Sequence, residues 1–260
     1  MARICPLCSG SGGNSTYIGF SSGAVLVDAG ASCKSILEGV SVVGGVDALR
    51  AIAITHEHTD HIKGLKTLLK KTGVPLIASS ATLDALTKAD IIPTGVELIP
   101  ADNGDITFGN IILSRFETSH DTIGSSGYVL SEGDTKISVC TDLGTVTDTV
   151  REAIRGSDAV LLESNHDVEM LKRGPYPPDL KLRILSEHGH LSNNACAAEL
   201  PELLKSGTTR IILGHLSLHN NMPTLATASA RAALADIGAT EWRDYILKVA
   251  KPCLSEAVVL

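Results

Sequence analysis

Five times along this chain an apolar run stops and a potential metal ligand follows at once or within a few residues. Asp28 closes Ala24-Val25-Leu26-Val27, and His56 comes just after Ala51-Ile52-Ala53-Ile54. Asp142 and His215 come just after Ile137-Ser138-Val139-Cys140 and Ile211-Ile212-Leu213, and His120 stands a few residues beyond Ile111–Phe116. Runs this short and this apolar read as buried strands. In α/β folds, ligand sites gather where loops leave strand ends along one edge. The pattern therefore demands a fold that carries widely separated histidines and aspartates to one place.

The densest of the five is Thr55-His56-Glu57-His58-Thr59-Asp60-His61. His56 and His58 are two apart, so in extended chain their imidazoles leave the same side. Asp60 and His61 fall at the turn into a predicted helix over 62–71 and aim at a second point nearby. That spacing suits two adjacent divalent ions. Neutral imidazole and carboxylate are ligands for zinc, manganese or iron. Asp142, in Thr141-Asp142-Leu143-Gly144, offers two oxygens with which to bridge such a pair, and His120 and His215 complete the candidates.

Composition narrows the class. The 260 residues are 43% hydrophobic and 20% charged, the balance of a globular chain with a sizeable core. No apolar stretch is long enough to span a bilayer. Met1–Pro6 has no secretory pattern, so a cytoplasmic location is expected. A net charge of −7 with 3% aromatics argues against a long electrostatic grip on nucleic acid or extended stacking platforms. Bound divalent metals would add positive charge locally, so a nucleic-acid contact would be confined to a small patch. Cys5 and Cys8 form a Cys-x-x-Cys pair without a second pair to complete a zinc ribbon; they read as strand cysteines.

Strands are expected near 16–20, 24–28, 51–54 and 75–78, with helices after Ser32 and from Ser80. A β meander follows over 96–100, 106–108, 111–116, 127–131 and 136–141, divided by Asn-Gly, Gly-Asn and Glu-Gly-Asp turns. Alternation returns with helices at 146–154, 168–172, 193–203 and 225–235 and strands at 159–163, 210–213 and 246–249. Mixed sheets with helices on their outer faces, in one α/β domain over 1–260, fit this order.

Asp28, His56/His58/Asp60/His61, His120, Asp142 and His215 match in order the five metal-site motifs of the metallo-β-lactamase fold, which the whole chain resembles. The resemblance implies a four-layer αβ/βα sandwich of two mixed sheets with two metals at the edge between them. It implies that His56, His58 and His120 hold one ion, that Asp60, His61 and His215 hold the other, and that Asp142 bridges. Asp28 would orient the His-rich loop from behind. True β-lactamases usually lack a histidine at the place of His61 and carry cysteine where Asp142 stands. Nucleases with a large inserted domain are excluded by the 72 residues between Asp142 and His215 (215 − 142 − 1).

Ser9-Gly10-Ser11-Gly12-Gly13-Asn14-Ser15, Glu163-Ser164-Asn165-His166-Asp167, Gly189-His190-Leu191-Ser192-Asn193 and Gly214-His215-Leu216-Ser217 resemble the YycJ/WalJ family. That likeness implies a 5′-to-3′ DNA exonuclease, with DNA favoured over RNA. The order of these segments is also that of tRNA 3′-processing endonucleases, but no counterpart of their tRNA-gripping arm is evident. Two metals lower the pKa of shared water and polarise a phosphoryl oxygen. Asp60 would orient the hydroxide, His190 would serve the departing oxygen, and His166 would act beside it. A small-molecule hydrolase acting on a cyclic phosphodiester or thioester is the alternative. Lys63, Lys66, Lys70 and Lys71 read as a solvated helix face.

Overall fold

The computed structural model describes residues 1–260, and its apolar side chains fall into three layers that explain the architecture. The first sheet contains β1 (Arg3–Cys8), β2 (Ser15–Gly19), β3 (Ala24–Val27), β4 (Leu49–Ala53), β5 (Leu76–Ala78) and β6 (Leu98–Pro100). The second contains β7 (Ile106–Phe108), β8 (Ile111–Glu117), β9 (Ser126–Glu132), β10 (Thr135–Cys140), β11 (Ala159–Glu163), β12 (Arg210–Gly214) and β13 (Ile246–Val249). A last short strand, β14 (Val258–Val259), returns to pair with β1. Side-chain alternation then decides the packing. In β4, Ala51 and Ala53 face the layer between the sheets, where they meet residues such as Tyr128, Leu130 and Val139. Ile52 and Ile54 point the other way, toward the helices.

Helices cover both outer faces, giving the four-layer αβ/βα sandwich. On the first sheet lie α1 (Cys33–Val43), α2 (Thr59–Ile62), α3 (Leu65–Thr72) and α4 (Ser80–Lys88), with Ile36, Val40, Leu65, Leu68, Leu69, Leu83 and Leu86 in the outer core. The rest are α5 (Asp148–Ile154), α6 (Val168–Arg173), α7 (Pro178–Leu185), α8 (Asn193–Lys205) and α9 (Pro223–Asp236). Of these, α5, α8 and α9 bury Val150, Leu200, Leu203 and Leu234 against the second sheet. Each such large aliphatic side chain contributes roughly 1.5–3 kcal/mol by leaving water. No helix is long and apolar enough to cross a membrane.

The two sheets have matching topologies. In the first, β14, β1, β2 and β3 pair antiparallel, and β3, β4, β5 and β6 pair parallel. In the second, β7 to β10 pair antiparallel and β10 to β13 parallel. Asp28 follows β3 and Asp142 follows β10, the strands at which each sheet changes sense. Both take the left-handed backbone conformation, with φ of 64° and 60°, and His215 after β12 does the same at 54°. A non-glycine residue in that region costs about 1–3 kcal/mol. Three site residues share that cost, each at a strand end.

Four elements differ from the expected order. The helix expected over 62–71 is two, parted at Gly64, where a Cβ would lie 2.3 Å from the Ala31 carbonyl oxygen. The strand expected at 96–100 belongs not to the meander but to the edge of the first sheet, parallel to β5. Leu98-Ile99-Pro100 is apolar throughout and so carries no apolar–polar alternation by which to assign it to a face. Neither α7, begun by Pro177-Pro178 with proline in its first turn, nor the two-residue β14 was expected. Cys5 and Cys8 are buried strand residues of β1 whose thiols burial pushes up to about 11 and about 12.

Candidate metal centre

The His-rich loop leaves β4 and is laced to its neighbours through the backbone. Asn14 N–H donates to the Asp60 carbonyl at 2.7 Å, Gly30 N–H to the Asn14 carbonyl at 2.7 Å and Ala29 N–H to the His61 carbonyl at 2.8 Å. A Cβ on Gly30 would come within 1.6 Å of the Asp60 carbonyl oxygen, so only glycine fits this crossing. The Gly-rich segment 9–14 is the β1–β2 turn, and it touches both halves of the site. Ser9 Oγ accepts from His215 N–H at 2.8 Å, while Asn14 Nδ2 approaches His61 Nε2 at 3.1 Å and Asp60 Oδ2 at 3.4 Å.

Four sets of side chains bring ligand atoms within 4.8 Å of one another. They are His56/His58/His120, Asp60/His61/His215, His56/His61/Asp142 and Asp142/Glu163/His190/His215. Asp142 belongs to two sets and joins the others. It is not the cap of the helix beyond it; Thr147 caps α5.

Fixed acceptors set the histidine tautomers. His61 Nδ1 lies 2.8 Å from Asp28 Oδ2, His120 Nδ1 lies 3.1 Å from the Gly189 carbonyl, and His215 Nδ1 lies 2.7 Å from Glu163 Oε1. These oxygens only accept, so each Nδ1 donates, and in the neutral ring each Nε2 turns a lone pair to the cleft. There the lone pairs meet more acceptors. His61 Nε2 is 3.4 Å from Asp142 Oδ2 and 3.6 Å from Asp60 Oδ2, and His215 Nε2 is 3.7 Å from Asp60 Oδ2. His120 Nε2, His215 Nε2 and Asp142 Oδ2 are buried without a hydrogen-bond partner. Imidazoles and carboxylates converging in a buried space require positive charge between them, from ring protons or from bound cations. The donor set therefore fits divalent metal ions, with nitrogen and oxygen ligands and no thiolate.

The protons reflect the same crowding. Burial drives the His56 imidazole well down, and the neighbouring histidines press it further. Burial also opposes the charged form of His61, but Asp142 and Asp28 outweigh it and raise it to about 9. His215 is likewise raised against its burial, chiefly by Asp142, Asp60 and Glu163. Asp60 is held well below the usual carboxylate range, because His215 and His61 overcome its desolvation.

Glu163 was not among the residues expected at the site. It is fully buried at the end of β11. One oxygen accepts from both His190 Nδ1 at 2.9 Å and His215 Nδ1 at 2.7 Å; the other accepts from Leu143 N–H at 3.0 Å and Leu191 N–H at 3.2 Å. The strand-end pattern that exposed Asp28 and Asp142 was present in Ala159–Glu163 as well. Thr55 was also passed over. Its hydroxyl lies 3.0 Å from Asp28 and 3.0 Å from His56 Nδ1, which extends the hold of Asp28 to a second histidine.

The cluster floors a cleft of about 260 Å³ that is lined by His58, Asp60, His120, Asp142, His190 and His215 among others. His190 presents its ring to this cleft. His166 does not line it; it is buried with both ring nitrogens unpartnered, and burial lowers it to about 4. Asp28 is behind the His loop, away from the cleft lining. Lys63, Lys70 and Lys71 are exposed, and Lys66 pairs with Asp90.

Residues 24–216 match the Beta-lactamase superfamily domain. The chain is 38% identical over 236 residues to exodeoxyribonuclease YycJ of Bacillus anthracis, a match covering 89% of each chain. It is 39% identical over 238 residues to exodeoxyribonuclease WalJ of Streptococcus pneumoniae, covering 89% of this chain and 88% of that one. Among solved structures, the metallo-β-lactamase fold protein YhfI from Bacillus subtilis superposes with a TM-score of 0.74 at 16% identity, over 99% of this chain and 98% of the other.

Proposed function

The chain belongs to the beta-lactamase superfamily and within it to the YycJ/WalJ family, and from that premise we propose that it is an exodeoxyribonuclease working from the 5′ end of DNA. It is a metal-dependent hydrolase by family. The observation that carries the finer reading is the convergence of three Nδ1-anchored histidines on Asp60 and Asp142. Two ions, zinc or manganese, are proposed, and iron is a third metal this donor set accepts. His56, His58 and His120 would hold one, Asp60, His61 and His215 the other, and Asp142 both. When bound, they acidify water and neutralise charge on a phosphoryl group.

The chain's own groups do the rest. Asp60, partly exposed at the cleft floor, accepts a hydrogen bond from the attacking water and so aligns it. His190 commits Nδ1–H to Glu163, which fixes the ring and leaves Nε2 to carry a proton to the departing oxygen. No proton transfer is assigned to His166, which is outside the cleft lining. DNA, held over a small area, is the proposed substrate, and a cytoplasmic location and a single domain belong to the same proposal.

Incubation of metal-loaded protein with 5′- and 3′-end-labelled DNA tests this reading. Nucleotides should be released from the 5′ end with Mn²⁺ or Zn²⁺, and His56→Ala should abolish release. No release by the wild type, with the variant indistinguishable from it, would sink the proposal. Turnover of cyclic nucleotides or acyl-glutathione without DNA cleavage would point instead to a small-molecule hydrolase.

A further inference from the structure

Asn14 closes the Gly-rich turn between β1 and β2, is buried, and has no idle polar group. Its N–H donates to the Asp60 carbonyl and its own carbonyl accepts from Gly30 N–H, both at 2.7 Å. Gly10 N–H donates to Asn14 Oδ1 at 2.9 Å. A backbone N–H only donates, so this bond fixes which end of the amide is oxygen and which is nitrogen. Nδ2 then donates to the Gly10 carbonyl at 3.2 Å. It holds its remaining N–H toward the site, 3.1 Å from His61 Nε2 and 3.4 Å from Asp60 Oδ2.

Two acceptors compete for that N–H, and the tautomer of His61 decides between them. His61 donates Nδ1–H to Asp28, so in the neutral ring it is the Nε2 lone pair that faces Asn14. With that lone pair given to a metal ion, Asp60 Oδ2 is the acceptor left to the amide. Oδ2 is also the Asp60 oxygen that approaches His61 Nε2 at 3.6 Å and His215 Nε2 at 3.7 Å, so it is the oxygen turned toward the other ligands. Asp60 Oδ1 makes no hydrogen bond within the protein, and the carboxylate lines the cleft. The torsion that exchanges the two oxygens of an aspartate is soft and nearly two-fold. A donor fixed on one oxygen from behind removes that freedom. Among Asp60, His61 and His215, Asn14 is the one side chain outside the set whose N–H reaches the ligand atoms.

We propose that Asn14 is a positioning residue for hydrolysis: its amide donates to Asp60 Oδ2 and keeps that oxygen toward His61 and His215, which leaves Oδ1 to face the attacking water. The inference rests on the assignment of Asp60 to the attacking water and deepens it.

Two measurements test it. The first is Mn²⁺ affinity by competition with a chelator, for wild type, Asn14→Ala, Asp60→Ala and the double variant. Asn14→Ala should lower affinity about 10- to 100-fold, the range for losing a group that orients a ligand. The same change should cost nothing further once Asp60 is alanine, because the two act as one unit. The second is kcat and KM at saturating Mn²⁺, on end-labelled DNA and on bis(p-nitrophenyl) phosphate. Asn14→Ala should lower kcat by the same factor on both and leave both KM values near wild type, since the amide touches neither substrate. Asn14→Asp keeps an acceptor for Gly10 N–H but turns an acceptor on Asp60, so it should lower kcat at least as far. It carries the turnover test if Asn14→Ala does not fold. Gly12→Ala, whose Cβ would meet nothing within 4 Å, should match wild type and so separates loss of the amide from disturbance of the turn.

The role is overturned if Asn14→Ala costs as much affinity in the Asp60→Ala background as in wild type, since the contact with His61 would then carry the effect. Turnover lost on DNA alone overturns it too, because the amide would then meet the nucleic acid. Wild-type affinity and kcat in Asn14→Ala have the same consequence. Those outcomes leave the exonuclease reading in place. Hydrolysis of bis(p-nitrophenyl) phosphate by a wild type that cleaves no DNA removes that reading, and the losses expected in Asn14→Ala on the small substrate would still support the role of Asn14.

Discussion

The two halves of the molecule repeat one strand pattern yet furnish the site in different ways. The first half packs four ligand candidates into a single loop after β4 and holds them from behind with Asp28, directly at His61 and through the Thr55 hydroxyl at His56. The second half spreads Asp142, His190 and His215 over three separate connections and ties them to one buried acid, Glu163, directly at the two histidines and through Leu143 N–H beside Asp142. A contiguous loop positions its ligands largely by its own backbone. A dispersed set depends on the anchor that joins it, so the same kind of residue carries different weight in the two halves.

The largest effect that separates the halves concerns His190, because only the second half carries an anchored histidine assigned to proton transfer. His190→Gln should lower kcat on DNA by about 10²- to 10⁴-fold and leave bound metal content, measured by plasma emission, at the wild-type level. Loss of metal along with activity would make His190 a ligand instead and erase the asymmetry.

Next in size are the anchors themselves. Removing a group that orients metal ligands typically costs about 10- to 100-fold in affinity or activity. Glu163→Gln should be at the upper end, since its amide NH2 would place a donor against either the two imidazole N–H groups or the two backbone N–H groups. Asp28→Asn should be at the lower end, because backbone lacing also holds the His loop. Metal affinity by competition with a chelator, measured for both variants, checks the order. Equal losses would break the comparison.

A smaller effect tests how the halves are joined. Tyr128, on β9 of the second sheet, is fully buried and donates its hydroxyl across the core to the Ile54 carbonyl at 2.7 Å, two residues before His56. Tyr128→Phe should lower unfolding free energy by about 1–3 kcal/mol, the cost of leaving a buried acceptor without its donor. Urea denaturation measures it. A change within a few tenths of a kcal/mol would mean that the two sheets are set by packing alone.

How much of this was legible in the sequence follows the same division. The His56–His61 string could be read because its ligands are neighbours in sequence as well as in space. Asp28, Asp142 and His215 could be read because each stands just beyond an apolar run, where a strand must end. Glu163 stands just beyond such a run too, Ala159–Leu162, but its part as an anchor could not be read there. Its contact with His215 arises only when β11 and β12 pair in parallel with Glu163 opposite Gly214. Register between distant strands is not encoded in local alternation. Helix α7, which adds Arg183 to the cleft lining, was hidden for another reason, since Pro175, Pro177 and Pro178 read as loop until proline is found opening a helix. The left-handed turns at Asp28, Asp142 and His215 carry only a weak mark, since Asp and His are tolerated there more than most residues but adopt other conformations far more often.

The smallest effect concerns the joint between the sheets at another place. Glu132, at the end of β9, accepts from Ser21 N–H at 2.9 Å and Ser22 N–H at 3.1 Å and from both serine hydroxyls, in the turn between β2 and β3. Hydrogen bonds from those two serines hold its carboxyl down from 4.5 to about 2. A carboxyl depressed on folding stabilises the native state above its unfolded value and loses that contribution as pH falls through the folded one. The contribution should therefore be complete above about pH 5.5 and decline between about pH 4.5 and 2. Other carboxylates lose stability in the same window, so the quantity to read is the wild-type urea midpoint minus that of Glu132→Gln at each pH. That difference should be constant near neutrality and shrink toward pH 2, and it should be modest, since the group is partly open to screening solvent. A difference that does not change with pH would mean that the serines hold Glu132 by shape rather than by charge, and that the halves are clasped here without electrostatics.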